Sequence, residues 1–307
     1  MTPEQVFLQH RPLLLGISYR ILGMYAEAED VVQDAYIRFS QANDVRDARA
    51  FLATIVTRAS IDRLRSAKHK REEYIGPWLP EPMADNSISD PALLAEQQES
   101  VSMAFLLLLE QLDPVDRAVI VLRDIFDFDY AEIARFIDKS EEASRQIASR
   151  ARKLVRRPIE EPVLPDAHKQ KLLDAFMKAC SRGNLESLMS LLAQDIQVYT
   201  DSGGRVRAAA RNVVFGQDNC ARFFLGILKK YPPGSVAVKR SINGQPGIAV
   251  FVHGKLYAGV SFAFGTDGKI HSVYSTLNPE KHSGLRKLKK PGLLYRIVAR
   301  IYTGMLG

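Results

Sequence analysis

At 307 residues, 46% apolar and 25% charged, the chain has the composition of a globular protein of two or three domains, which excludes wholesale disorder and low-complexity structure. Its longest unbroken apolar run, Met103–Leu109, is seven residues. A spanning helix needs about 20, so no transmembrane segment is expected. The net charge of +7 is unevenly spread, with +1 over residues 1–75, −3 over 76–90, −4 over 91–163, +7 over 164–277 and +6 over 278–307. Bulk charge therefore marks no nucleic-acid domain in the first half, but two local clusters do. Arg58–Arg71 holds six Lys/Arg against Asp62 alone, and Arg145–Arg157 holds six with no acid. Such clusters at helical spacing supply phosphate contacts.

Met1–His10 lacks the basic stretch and apolar core of a secretory signal, which predicts a cytoplasmic protein. Residues 3–72 read as helical, with breaks at Gly23 and Asn43–Asp47. Gly76–Pro91 carries four prolines in sixteen residues and reads as an extended linker. Residues 92–157 are helical again, interrupted at Asp113-Pro114 and near Asp138, and Pro158, Pro162 and Pro165 mark a second linker. Beyond Asp166 the texture changes to helices near 167–182, 184–193 and 217–230, and strands near 196–200, 235–242, 247–252, 255–264 and 269–276. Thr266-Asp267-Gly268-Lys269 is a hairpin turn signal. Helices followed by an antiparallel sheet predict an α+β domain. Cys180 and Cys220 lack metal-ligand spacing and read as free thiols, although their separation does not bar a pairing.

Asp129–Arg157 carries the strongest functional signal. A short amphipathic helix at Tyr130–Ile137 precedes a turn at Asp138-Lys139, and Ser140 is placed to cap a second helix. On that second helix Ala143, Ile147, Ala151 and Leu154 share one face, and Arg145, Ser149, Arg152 and Arg156 share the other. This is the pattern of a helix-turn-helix whose second helix enters the major groove, a reading preferred to the alternative of a solvated helix with a basic stripe. On the earlier helix Ala28, Val31, Val32, Ala35 and Phe39 form a buried stripe, with Glu27, Asp30 and Asp34 outside it and Gln33 beside them. The following helix is basic in its second half.

At these residues the chain resembles a family. Ala28-Glu29-Asp30-Val31-Val32-Gln33-Asp34-Ala35-Tyr36 resembles region 2.2 of the sigma-70 family. Ala50-Phe51-Leu52 through Asp62-Arg63-Leu64-Arg65 resembles regions 2.3–2.4, and the helix-turn-helix resembles region 4.2. No region 3 lies between them, which is the extracytoplasmic-function (ECF) layout. Trp78-Leu79-Pro80-Glu81-Pro82 and Asn278-Pro279-Glu280-Lys281 resemble signatures of the subgroup with a fused SnoaL-like domain, with Glu280 where Asp is usual.

The resemblance implies a multidomain fold, with two all-α sigma domains followed by an α+β, cone-like domain of the nuclear-transport-factor-2 and SnoaL type. The expected boundaries are 1–75 for region 2, 76–91 for the linker, 92–160 for region 4, 166–281 for the cone and 282–307 for a basic amphipathic tail. It implies a non-enzymatic sigma factor without metal or cofactor, which binds core RNA polymerase through its β′ and β subunits and also binds promoter DNA. Glu27, Asp30, Gln33 and Asp34 would meet a basic coiled coil of β′. Loop 43–49 with Arg58, Arg63, Arg65 and Lys68 would open and hold the −10 element, and Arg145, Ser149, Arg152 and Arg156 would engage the −35 element. The acidic linker, with Glu81, would thread the RNA path as a nucleic-acid mimic.

The two signatures, Trp78–Pro82 and Asn278–Lys281, would be regulatory contact points. No obligatory anti-sigma factor is then expected. A small-molecule ligand in the cone would be lined by Tyr199, Asp201, Phe224, His253, Tyr257, His271 and Tyr274, with Asp201 and a histidine as the conceivable catalytic pair. The tail stripe Leu293, Leu294, Ile297, Val298 and Ile301 would pack on the protein or contact an acidic membrane. Two rivals stand beside this reading: a helix-turn-helix regulator with a metabolite-binding cone, and a SnoaL-like cyclase or isomerase with a DNA-binding appendage.

Overall fold

The computed structural model describes residues 2–84, 102–155, 164–206, 209–286 and 288, with the side chains of 68–72 left aside. The chain divides into two units, Met1–Glu73 with Ile88–Ile159, and Tyr74–Ser87 with Glu160–Gly307.

The first unit is helical. α1 (Pro3–Leu22) starts at a capping box in which the Thr2 hydroxyl accepts from Gln5 N and the Gln5 side chain accepts from Thr2 N. It ends where Gly23 turns into the left-handed region, at φ 71°. α2 (Tyr25–Gln41) and α3 (Ala48–Glu72) complete a three-helix bundle, with the Asp47 carboxylate accepting from Ala50 N at the start of α3. The α2 stripe Ala28, Val31, Val32, Ala35 and Phe39 is buried as its spacing predicts, in a core that also holds the buried Leu14, Ile17, Ile21, Leu52 and Val56 of α1 and α3. Each such aliphatic side chain removed from water contributes about 1.5–3 kcal/mol. A buried Ser18–Ser60 hydrogen bond of 2.9 Å fixes the register of α1 on α3.

After α4 (Met103–Leu109), α5 (Pro114–Ile120) runs into one π turn at Val121–Ile125. α6 (Tyr130–Ile137) has a second capping box, Asp129 with Glu132. Asp138 adopts the left-handed conformation at φ 56°, and Ser140 caps α7 (Glu141–Leu154) by accepting from Ala143 N at 3.1 Å. α6 and α7 thus form the expected helix-turn-helix. The buried row of α7 is Ser144, Ala148 and Ala151, slightly rotated from the expected one. Leu154, assigned to the apolar face, is 57% exposed, because it lies on the last turn, off the line of these three small residues.

The second unit is α+β. α8 (Asp166–Arg182) and α9 (Leu185–Leu191) lead into β1 (Leu192–Asp201). Then come β2 (Val214–Phe215), α10 (Gln217–Leu228), β3 (Val236–Ile242), β4 (Gln245–Val252), β5 (Lys255–Phe264) and β6 (Ile270–Thr276). The sheet order is β2-β1-β6-β5-β4-β3, with β1 parallel to β6 and every other pair antiparallel. Register shifts in β1, β4 and β5 give the sheet its bends. One face packs on Leu173 and Phe176 of α8 and Phe224 of α10, with Ile248, Val250 and Phe262 from the strands. The two-residue β2 was not expected. The cysteines are free, with Cys220 buried in this core.

The expected free linker is, over residues 74–84, part of this second unit. It runs as an extended strap with Leu79 to Ala84 buried. Ala84 bridges Ile242 of the edge strand β3, and Asn243 N donates to Met83 O at 2.8 Å. The fold also continues past residue 281, where Gly284 and Leu285 are buried under Pro82 and Ile242, so the expected tail boundary at 282 falls inside packed structure. Asp85, Asp90, Arg156 and residues 289–307 lie outside the described residues.

Candidate functional site

On α2 the burial of the apolar stripe turns Asp30, Gln33 and Asp34 to solvent, while Glu27 is half-buried. Arg63 of α3 reaches this surface. It donates to the Glu27 carbonyl at 3.0 Å and pairs with the Asp30 carboxylate at 3.6 Å. Ile37, one turn beyond Gln33 and Asp34, is 47% exposed and extends the acidic stripe with an apolar contact that the sequence reading did not single out. Its signal was there, three and four residues on from the two polar side chains.

The four basic candidates on α3 diverge. Arg58 donates to the carbonyls of Phe136 and Arg135, at 2.9 and 2.8 Å, and so caps the C-terminal end of α6, where the helix dipole favours a cation. Arg63 is engaged with α2, and Arg65 pairs with Asp62 on the surface at 3.4 Å. Lys68 lies on α3, with its side chain outside the description. In the first turn of α3 Arg49 stacks over the Phe128 ring, 4.3 Å from its centroid.

On α7, Arg145, Ser149 and Arg152 are exposed together on the outward face. Arg145 is bonded to Glu141 and lies 5.3 Å from the Tyr130 ring centroid. Arg152 donates to Asp124 at 3.0 Å, and that hydrogen bond holds its guanidinium above the ordinary arginine range. Arg150, on the same helix, serves the fold, gripping the buried Asp116 carboxylate with bonds of 2.8 and 2.9 Å.

The two signature segments meet in the second unit. The Asp201 carboxylate, at the end of β1 and fully buried, accepts from Leu79 N at 2.8 Å, from Lys281 Nζ at 2.6 Å and from the Tyr74 hydroxyl. Lys281, 1% exposed, also donates to Leu79 O at 2.6 Å and sits 3.1 Å from the centroid of the Trp78 ring. Asn278 donates to the Tyr74 hydroxyl at 2.9 Å. Burial, with Asp201 second, pushes the Tyr74 phenol upward. Gly203, at φ 57°, is required here, since a Cβ would lie 2.9 Å from Asn278 Nδ2.

A second knot follows along the strap. Glu81 is buried and accepts from Gly284 N at 2.8 Å and from the Ser283 hydroxyl. The expectation that Glu81 lines an RNA path is therefore not met in this conformation, because its charge is spent inside the unit. Pro80 and Pro82 are buried beside it, whereas Pro279 and Glu280 face outward and Glu280 pairs with Arg205. The proposed cone pair also fails to form. Both Asp201 oxygens are used by the strap and Lys281, His271 binds Asp267 at the β5–β6 turn, and His253 sits in the β4–β5 turn at φ 48°.

Comparison with known proteins decides the family. Residues 6–70 match the model for Sigma-70 region 2 and residues 102–155 that for Sigma-70, region 4. The ECF RNA polymerase sigma factor SigJ of Mycobacterium tuberculosis is 35% identical over 288 residues, covering 89% of this chain and 91% of the relative. The chain belongs to the ECF sigma factors. Probable SigI of the same organism is 32% identical over 282 residues, 90% of this chain and 93% of that one. The crystal structure of SigJ superposes with a TM-score of 0.72 at 33% identity, covering 89% of this chain and 96% of that one.

As a sigma factor the protein binds core RNA polymerase and promoter DNA and directs transcription initiation. Among the described residues no helix is long and apolar enough to cross a membrane, and no group of His, Cys, Asp and Glu is placed to hold a metal. In sequence Tyr74 was not legible as a site residue, and Asp201 was read only as a cone-lining carboxylate and not as the anchor of the strap. Neither belongs to a signature segment, and each becomes important only through partners distant in the chain.

Proposed function

We propose that the exposed stripe of α2, Asp30, Gln33 and Asp34 with Glu27 at its edge, is the surface that meets the β′ coiled coil. Loop 43–49 and α3 engage the −10 element, with Arg58, Arg63, Arg65 and Lys68 turning to phosphates. The outward face of α7 reads the −35 element through Arg145, Ser149 and Arg152, with Arg156 on phosphate. Arg63 and Arg152 hold exposed ion pairs, which are worth about 0–1 kcal/mol, so exchanging a carboxylate for a phosphate costs little.

The C-terminal unit acts as a regulator in cis. One observation carries this reading: the segment that joins region 2 to region 4 in sequence is held inside the C-terminal unit by the buried Lys281–Asp201 pair and the Glu81 knot. The reach between the two DNA-binding regions depends on whether that strap is docked or released. A fused regulator works at high effective concentration, so no separate anti-sigma factor is required. Any small molecule taken up by this unit acts through side chains other than Asp201.

Transcription from a genomic promoter library with core polymerase tests the scheme. A chain ending at Leu288 should keep the strap docked, and a chain ending before Asp166 should change output several-fold. Equal output from both would remove the regulatory role and leave the promoter-binding assignments standing.

A further inference from the structure

The positive charge of the second unit is concentrated. From Asn219 to Thr266 the chain runs 48 residues without one Asp or Glu, where its average acid content would place about five, and the same run holds six Lys or Arg. Three of the six are used within the fold. Arg222 pairs with Asp218 at 2.7 Å, Lys239 pairs with Asp174 at 2.6 Å, and Arg240 donates to the Lys239 carbonyl at 2.8 Å. Lys229, Lys230 and Lys255 are exposed, and among the described residues no ion pair reaches any of them.

The fold gathers these three at one end of the sheet. α10 ends at Leu228, and Lys229 and Lys230 follow directly. The next residue, Tyr231, sets its ring edge-on against Tyr257 of β5, with centroids 5.5 Å apart. Lys255 lies two residues before Tyr257 and faces Val252 across the β4–β5 hairpin. The turn of that hairpin is His253-Gly254, at φ 48° and 76°, a tight connection that fixes the backbone of Lys255. Ser235 N donates to Pro232 O at 3.2 Å and closes the turn into β3, whose Val236 pairs with Phe251. The end of α10, the 229–235 turn and the β4–β5 hairpin therefore lie together. The strap binds at Ile242 and Asn243, at the other end of β4, which spans about 25 Å at strand rise. The basic end is thus separate from the strap's dock.

Like charges held on a fixed backbone repel one another, and a bound polyanion turns that repulsion into attraction. Lysine is a compact, hydrated charge that meets phosphate without reading a base. A sigma factor already holds one polyanion, promoter DNA, so a second contact from the same molecule forms at high effective concentration. We infer that Lys229, Lys230 and Lys255 form a phosphate-binding surface for duplex promoter DNA. The C-terminal unit thereby adds sequence-independent affinity to what regions 2 and 4 supply.

The test is the salt dependence of binding. Full-length protein with core polymerase is titrated onto a labelled promoter duplex recovered from the transcription library. Each phosphate contact contributes about 0.9 to the slope of log K against log salt. Lys229→Gln/Lys230→Gln/Lys255→Gln should therefore reduce the slope by about 2.7 and lower affinity at least about ten-fold at 0.1 M salt. Lys229→Arg/Lys230→Arg/Lys255→Arg should keep both at the wild-type value, which separates lost charge from a damaged fold. Lys171→Gln/Lys178→Gln/Arg182→Gln takes the same charge from exposed positions on α8 and should leave the slope within about 0.5 of wild type. An unchanged slope in the first variant overturns the inference, and so does an equal fall in the α8 variant, which would assign the effect to net charge. Affinity for core polymerase without DNA should not change. Its loss with the DNA slope intact would give the surface to an acidic protein partner and also overturn the inference.

Discussion

The sigma factor holds its charged side chains in two opposite ways. Around Asp201 and Lys281 the charges are buried, hydrogen-bonded on all sides and joined to aromatic faces. On α2 and α7 the charges are exposed, and their pairs, Arg63–Asp30 and Arg152–Asp124, sit at the surface. A buried pair is costly to break because the survivor is stranded without water, whereas an exposed pair gives way to the next partner. The first arrangement fixes geometry and the second leaves the surface free to exchange partners.

The largest effect should come from breaking the buried side of this contrast. Lys281→Met removes the cation that the buried Asp201 carboxylate faces, and should destabilise the second unit by about 3–5 kcal/mol in urea unfolding. Adding Asp201→Asn should restore much of that loss, and a double variant as unstable as the single one would show that packing rather than charge decides.

On the exposed side, Asp30→Arg with Gln33→Ala sets a like charge against a basic partner. Affinity for core polymerase should fall about a hundred-fold, near 2.7 kcal/mol, while stability stays within about 0.5 kcal/mol. Native affinity in a binding titration would move the polymerase surface elsewhere. Arg145→Ala and Arg152→Ala should each weaken promoter binding by about 1–3 kcal/mol where the side chain reads a base, and by less at a phosphate. Normal binding by both in a filter or anisotropy assay would exclude the outward face of α7 as reader.

The smallest effect is pH-dependent and separates the two regions again. His282 is buried beside the Lys281 pair, with its ring against the Thr276 carbonyl, and burial lowers its pKa. The unfolded chain then binds the proton more readily than the folded one. The stability that the neutral ring contributes is present above the ordinary histidine value of about 6.5 and is lost as pH falls below it. The second unit should become less stable to unfolding in that window, and His282→Gln should flatten the dependence. An equal slope in wild type and variant would assign the acid sensitivity to another group.

Periodicity made the helical unit readable, because burial there follows a repeat within each helix. The stripe Ala28 to Phe39 is buried as spaced. It misled at Leu154, because the buried row of α7 runs from Ala151 back through Ala148 and Ser144, two residues too small and, for serine, too polar to register as an apolar face. The strap was unreadable for a different reason. Glu81 in a proline-rich stretch looks solvated, and only Ser283 and Gly284, more than 200 positions away, make its burial tolerable. Asp201 is a similar case, since a lone carboxylate at a strand end gives no hint that a strap closes over it.

The distance between the strap and its partners also sets a timetable for the newly made protein. Leu79 and Lys281 are separated by 202 positions. At synthesis rates of roughly 5–20 residues per second, the strap emerges about 10–40 s before the lysine that holds it. The helices of region 2 are already made when the strap emerges and those of region 4 are made within that interval, so both have time to fold while the segment between them has no dock. Every nascent molecule therefore passes through a strap-released state before its C-terminal unit is complete, and slow translation of the last third of the message lengthens that stage.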